Sequence, residues 1–217
     1  FNSGHITGIR VGASPVDEVV TVVIQDDGRT APTLASRVRG ASGKLAAAQE
    51  LSRDTRSQLP DAIEFNSSGT AFLTWPFSGT FDVGARSFRP AGGLFSVPFS
   101  WDLGDCGRVQ AVKFLASGKP NVICSTGFGA TFDDVRFISM VGSFSEGTLF
   151  DVPETLTSPV AGSRIMGKAQ LEVGANGTRA AMWTVRTVSG PTVIDDIRVA
   201  TAPPGGTFRP SESAVLV

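Results

Sequence analysis

Ala62-Ile63-Glu64-Phe65-Asn66-Ser67-Ser68-Gly69-Thr70-Ala71-Phe72-Leu73-Thr74-Trp75 and Leu171-Glu172-Val173-Gly174-Ala175-Asn176-Gly177-Thr178-Arg179-Ala180-Ala181-Met182-Trp183-Thr184 share one grammar. In each, an alternating apolar stretch runs into a Ser-Gly or Asn-Gly turn. A second stretch then carries Trp six residues after the glycine. Alternation with period two marks a half-buried strand. A glycine free to take positive φ between two such strands predicts a β-hairpin closed by a primed turn.

Two further copies are weaker. Val112 to Cys124 turns at Ser117-Gly118 and puts Cys124 at the Trp position, and Ile9 to Ile24 is a degenerate first copy. With Val11, Phe65, Phe114 and Val173 taken as equivalent, the spacings are 54, 49 and 59 residues. A second hairpin follows each first one: Val83 to Phe95 through Arg89-Pro90-Ala91-Gly92-Gly93, and Ile197 to Phe208 through Pro203-Pro204-Gly205-Gly206. Weaker copies are Leu34 to Leu45 and Val135 to Phe144. Four strands recurring every 50 to 60 residues or so are the signature of propeller blades, because stacking one sheet on the next hides both apolar faces of each. A sandwich has no reason to repeat at this interval, and solenoid coils are shorter. The expected fold is therefore all-β, a β-propeller or propeller arc of four four-stranded blades. One domain spans 1–217, with repeat units at about 6–52, 53–102, 103–158 and 159–217.

The motifs Asn-Gly-Thr-x-x-x-x-Trp, Arg-Pro-Ala-Gly-Gly-x-Phe and Pro-Pro-Gly-Gly-x-Phe, at 176–183, 89–95 and 203–208, resemble repeat units of secreted bacterial proteins. In that family the repeats are read as propeller blades. The resemblance implies a secreted or cell-surface location and a binding or scaffolding role, and it carries no catalytic motif. The sialidase hairpin motif, Ser-x-Asp-x-Gly-x-Thr-Trp, is not matched, and the chain has no Tyr to serve as that family's nucleophile.

Composition agrees with buried strands and frequent turns. Gly 25 plus Pro 13 gives 38 of 217 residues, about 17%, against an average near 12%. Charged residues make up only 18%, which excludes coiled coil and disorder. The net charge of −1, with 19 scattered basic residues, offers no stripe for nucleic acid. The longest apolar run, Val19 to Ile24, is far too short for a membrane span.

Candidate chemistry is sparse. His5, the single histidine, lies near the start of the chain, where a general base would be poorly held, and no Gly-x-Ser-x-Gly elbow occurs. The acidic doublets Asp133-Asp134 and Asp195-Asp196, with Asp82 at the matching place, are of a type that holds Ca²⁺ or serves glycosidases as acid and base. Their repetition at a strand entry reads instead as turn chemistry. Asp26-Asp27-Gly28 reads as a hairpin turn. No cofactor or metal is expected, Ca²⁺ at the doublets being the weak alternative. Trp101 has no repeat counterpart and, with Asp102 beside it, is the candidate ligand contact, following the outer strand near a loop. Cys106 and Cys124 are candidates for a disulfide, as two cysteines and no more suit an exported protein. Ideal pairing sets Cys124 opposite about residue 111, so Cys106 would have to fold back over the strand. Asn66-Ser67-Ser68 and Asn176-Gly177-Thr178 are formal glycosylation sequons as well as turns.

These readings predict a non-enzymatic extracellular module for adhesion, surface assembly, or glycan or protein binding. The alternative is a polysaccharide hydrolase or lyase using the repeated Asp residues in a propeller cleft. Four whole units without a clasp are expected to self-associate through the terminal blades, or to meet a partner there, unless a four-membered ring closes. That contact would involve residues 6 to 51 or 163 to 217, chiefly Val19–Ile24 and Ala214–Val217. Phe65, Trp75, Phe95, Phe114, Phe144, Val173, Trp183 and Phe208 are expected to be buried.

Overall fold

A computed structural model describes residues 5–28, 32–53, 62–76, 83–96, 99–102, 108–126, 136–142, 154–157, 163–209 and 212–215. Among them every regular element is a β-strand. The first blade is β1 (His5–Ala13), β2 (Val19–Asp26), β3 (Thr33–Arg39) and β4 (Gln49–Arg53). The second is β5 (Ala62–Phe65), β6 (Ala71–Pro76), β7 (Val83–Arg89) and β8 (Phe99–Asp102). The third is β9 (Arg108–Phe114), β10 (Pro120–Thr126), β11 (Arg136–Val141) and β12 (Glu154–Thr155). The fourth is β13 (Ser163–Val173), β14 (Arg179–Ser189), β15 (Thr192–Ala202) and β16 (Glu212–Val215). Each is an antiparallel meander in which chain neighbours are sheet neighbours.

One turn opens all four blades. Backbone N–H to C=O bonds join Ser14 to Glu18, Asn66 to Thr70, Leu115 to Lys119 and Gly174 to Thr178, at 2.8 to 3.0 Å. The fourth residue of each turn is left-handed: Gly69 (φ 79°), Gly118 (φ 79°), Gly177 (φ 84°) and, in the first blade, Asp17 (φ 60°). The turn is thus a longer loop with one left-handed residue, not the two-residue primed turn expected, since positive φ does not extend to Ser68 or Asn176. It also corrects the alignment of the first copy. Ala13, not Val11, precedes the turn as Phe65, Phe114 and Val173 do. A two-residue slip preserves side-chain parity, so the faces were assigned correctly although the position was not. Asp17 carries a cost there that its glycine counterparts avoid. Replacing Asp17 by Gly should therefore raise stability, by up to about 1 kcal/mol in urea unfolding.

The chain divides into two compact units, residues 1–104 and 105–217, each holding two blades. In the first, Val20, Val22 and Ile24 of β2, Leu34 of β3 and Leu51 of β4 pack with Ala71, Leu73 and Trp75 of β6 and with Phe95. In the second, Ile123, Phe137 and Leu156 pack with Ala169 and Leu171 of β13, Ala181, Trp183 and Val185 of β14, and Ala200 of β15. Trp75 and Trp183 are each 2% exposed, which fixes the register. Trp183 meets the Phe137 ring edge-on at 6.0 Å. Counting from the shared turn, Val23 and Cys124 occupy the Trp position, and both are buried. Phe95 is buried too, but Phe65, Phe114, Val173 and Phe208 are half-buried. Phe144 lies outside the described residues.

Polar joints lock the blades within each unit. In the first, the Gln49 side chain donates to the Phe95 carbonyl and accepts from the Phe95 N–H, both at 2.8 Å. Glu18 accepts from both terminal nitrogens of Arg89, at 2.7 and 3.1 Å, and from the Gly92 N–H at 3.0 Å. In the second, Glu154 accepts from the Phe208 N–H at 2.8 Å and from Arg179 at 3.4 Å. Arg179 also donates to Asn121 and to the Gly206 carbonyl, and its guanidinium lies 4.6 Å over the Phe208 ring. Gln49 and Glu154 hold the same register place: Val22 pairs Ser36, which pairs Gln49, and Ile123 pairs Ser139, which pairs Glu154. The repeated Gly-Gly-x-Phe motif is the receiving half of this joint. Its tight turn presents a main-chain N–H to the preceding blade.

Candidate functional site

The first strands of the first two blades approach each other closely at Gly12. A Cβ built there would lie 2.8 Å from Cε2 of Phe65 and 3.1 Å from Cγ2 of Ile63. Gly12 thus admits the Phe65 ring, and beyond that contact an open cleft of about 610 Å³ runs between the tips of β1 and β5. Its walls include Ile63, Glu64 and Phe65 on one side and Gly12, Ser14 and Pro15 on the other. Substituting Gly12 by Ala should cost about 1–3 kcal/mol through overpacking. Gly40→Ala, with no atom within 4 Å of the new Cβ, should be nearly neutral in the same thermal melts.

Most of the cleft's polar atoms are occupied by its own turns. The Asn66 carbonyl oxygen accepts from the Ser68 N–H (3.1 Å), the Ser68 hydroxyl (2.8 Å) and the Thr70 N–H (2.8 Å). The Ser14 hydroxyl accepts from the Val16 N–H at 3.2 Å. The rest of the wall is apolar, Ile63 and Phe65, with the Glu64 side chain beside them. Such a surface suits stacking and hydrogen bonding to an amphipathic group. It does not place two titratable side chains face to face.

Asn66 is 9% exposed with its carboxamide engaged, so in the folded chain this sequon is closed. Asn176 is exposed and accepts from the Thr178 N–H, at 3.0 Å. Asp195 and Asp196 sit inside β15 and not at a strand entry, because β14 and β15 run on to a turn at Gly190-Pro191. Consecutive strand residues project to opposite faces. Asp195 accordingly pairs across the strands with Arg186, through two hydrogen bonds of 2.7 Å. Asp196 stands 3.8 Å from Arg198 on the other face. The Arg186 hydrogen bonds hold the exposed Asp195 carboxyl below its ordinary range and raise Arg186 in turn. The doublet therefore cannot grip one ligand with both carboxylates. Asp82, Asp133 and Asp134 lie outside the described residues.

Among the described residues no group of three or more His, Cys, Asp or Glu could hold a metal ion. No helix there is long and apolar enough to cross a membrane. His5 opens β1, exposed, opposite Asp26. Asp26 accepts from the Gly28 N–H at 2.8 Å, so Asp26-Asp27-Gly28 is the turn expected of it. Trp101 and Asp102 lie within β8, the outer strand itself, opposite Gly84 and Val83, and not in a following loop. Their side chains are outside the described residues. Cys124 is disulfide-bonded. A bulge after Ile123 sets it opposite Val109, two places from the position that ideal pairing gives. Cys106, the other cysteine of the chain, lies outside the described residues.

No protein-family model matches the chain, and no curated protein sequence matches it. Its likeness to solved structures is extensive in coverage and low in identity. It is similar to a protein of unknown function from Dyadobacter fermentans DSM 18053, at TM-score 0.62 and 12% identity over 98% of this chain and 70% of that one. It is similar to the β-propeller domain of the Trilobed protease from Pyrococcus furiosus, which has an open velcro topology, at TM-score 0.56 and 6% identity over 99% of this chain and 57% of that one. A puromycin hydrolase matches at TM-score 0.54 and 18% identity, over 94% of this chain but 31% of that one. At such identities the shared property is the fold, that of β-propeller blades.

Proposed function

We propose that the chain is a non-enzymatic module of a secreted or cell-surface protein, holding a glycan or protein partner in the cleft between its first two blades. The observation that carries this reading is the character of the cleft. It is open, walled by Ile63 and Phe65 with Glu64 beside them, and the Ser14 and Asn66 oxygens at its rim are held by their own turns. A site of that kind binds by contact area and a few oriented polar groups. The secreted repeat proteins that the Gly-Gly-x-Phe motifs resemble support the location. The protease and hydrolase activities named for structural neighbours remain those proteins' own. Asp195 and Asp196, on opposite faces of β15, argue against the hydrolase alternative for that pair.

The test is a glycan array together with pull-downs from envelope extracts of the source organism, using the chain and its Glu64→Lys and Ile63→Asp variants. Capture by the parent that both variants lose is the expected result. Hydrolysis of a polysaccharide from the same panel, unchanged in both variants, would overturn the reading.

A further inference from the structure

The joint between blades is built from an acceptor on the last strand of one blade and a main-chain N–H at the second hairpin of the next. It is seen twice, as Gln49 with Phe95 and as Glu154 with Phe208. The fourth blade carries an acidic residue at the same place. Met182 pairs Val199, which pairs Glu212, so Glu212 holds on β16 the register place of Gln49 and Glu154. In the second blade that place belongs to Phe99. The first blade carries an unused receiver. Leu45 stands where Phe95 and Phe208 stand, two residues past the Gly43 that closes its hairpin turn. The flanking bonds, Gly40 to Lys44 and Ala46 to Val38, leave the Leu45 N–H without a hydrogen bond among the described residues. Its side chain is 51% exposed.

The surroundings match on both sides. On the first blade, Ile9 and Val11 are 58% and 56% exposed, on the face whose counterpart in the second blade packs against the blade before it. Arg39 is exposed on that face, at the register place of Arg89 and beside that of Arg179, the two guanidinium groups used in the existing joints. On the fourth blade, Met182, Val188 and Val193 are exposed on the face that bears Glu212's register place. Both faces thus expose apolar side chains, and the register place of an acidic residue on one answers that of an arginine on the other.

We propose that Glu212 and Leu45 are two halves of a third joint, made head to tail between copies of the chain, the fourth blade of one receiving the first blade of the next. This does not depend on what the cleft binds. The contact is heterologous, so assembly is open-ended unless the rotation closes. Sedimentation of the 217-residue chain over a roughly hundredfold concentration range should show mass-dependent growth beyond a dimer. Glu212→Ala should weaken association about tenfold, the loss expected for one charge-assisted hydrogen bond. Glu212→Gln should keep it, because Gln49 already performs this task with an amide. Val11→Asp should weaken it at least as much, and Leu94→Asp, at a still more exposed site in the second blade, should not. Melting curves confirm that each variant is folded. A chain that stays monomeric throughout, or association that Glu212→Ala and Val11→Asp leave unchanged, would overturn the proposal.

Discussion

Replacing Trp183 by alanine lowers the stability of the chain by about 3–5 kcal/mol, the range for deleting a buried tryptophan. For a chain of this size that is a fall in Tm of roughly 6–20 °C. The reason is position. Trp183 is 2% exposed, packs among Ile123, Phe137, Leu171 and Val185, and supplies the largest side chain joining the third blade to the fourth. Met182, the preceding residue, points to the other face and is 38% exposed, so Met182→Ala should cost less than about 1 kcal/mol. Trp183→Phe should cost well under half of the alanine change, because among the described residues the buried indole N–H has no hydrogen-bond partner to forfeit. Urea unfolding of the three variants decides the matter. Equal losses for Trp183→Ala and Met182→Ala would mean that the strand faces are assigned wrongly.

Removing Arg89 is expected to cost about as much, roughly 3–5 kcal/mol, because it strands the Glu18 carboxylate in a site only 8% exposed. The same pair makes stability depend on pH. Hydrogen bonds from Arg89, aided by its charge and by the Gly92 N–H, outweigh desolvation and hold Glu18 below its ordinary 4.5. The folded value is thus depressed relative to the unfolded one, and the unfolded chain binds the proton more tightly. Its contribution is complete above the unfolded value and is lost as pH falls through the folded value. Denaturation midpoints measured from pH 7 downward should therefore drop below about pH 4.5. In Glu18→Gln the drop should shrink. Asp195→Asn is the comparison: its ion pair with Arg186 is solvent-exposed and contributes little. An unaltered acid slope in Glu18→Gln would show that other carboxylates govern the acid limb.

The all-β fold and the faces of the strands in the second and fourth repeats were legible because two tryptophans and two Gly-Gly-x-Phe turns recur at fixed offsets. The first blade was blurred by one residue. Asp17 takes a left-handed conformation that composition assigns to glycine, and without a glycine the turn could not be anchored. Val19–Ile24 looked like a sticky strand, yet Val20, Val22 and Ile24 form the core of the first unit, and Val23 is buried as well. The strand of that blade with exposed apolar side chains is β1, at Ile6, Ile9 and Val11. The joints were not legible. Gln49 and Glu154 differ in charge and share only a leucine two residues on, Leu51 and Leu156, too slight a pattern to align them without strand register. The Gly-Gly-x-Phe repeat held half of that signal, the receiver without its acceptor. Asp195-Asp196 misled because a long hairpin turned an apparent strand entry into a strand interior.

The meander order of each sheet has a consequence for how the chain is made. Every blade is complete once its own segment has emerged, since no strand waits for a distant partner. The face carrying Val20, Val22 and Ile24, however, is covered only when Leu73 and Trp75 arrive, about 50 residues later. At a synthesis rate of 5–20 residues per second that is an interval of roughly 3–10 s. During it a finished sheet presents bare valine and isoleucine to whatever is nearby. A folding helper, or passage through a secretion channel while still extended, would be needed for that interval and not for the finished blade pair.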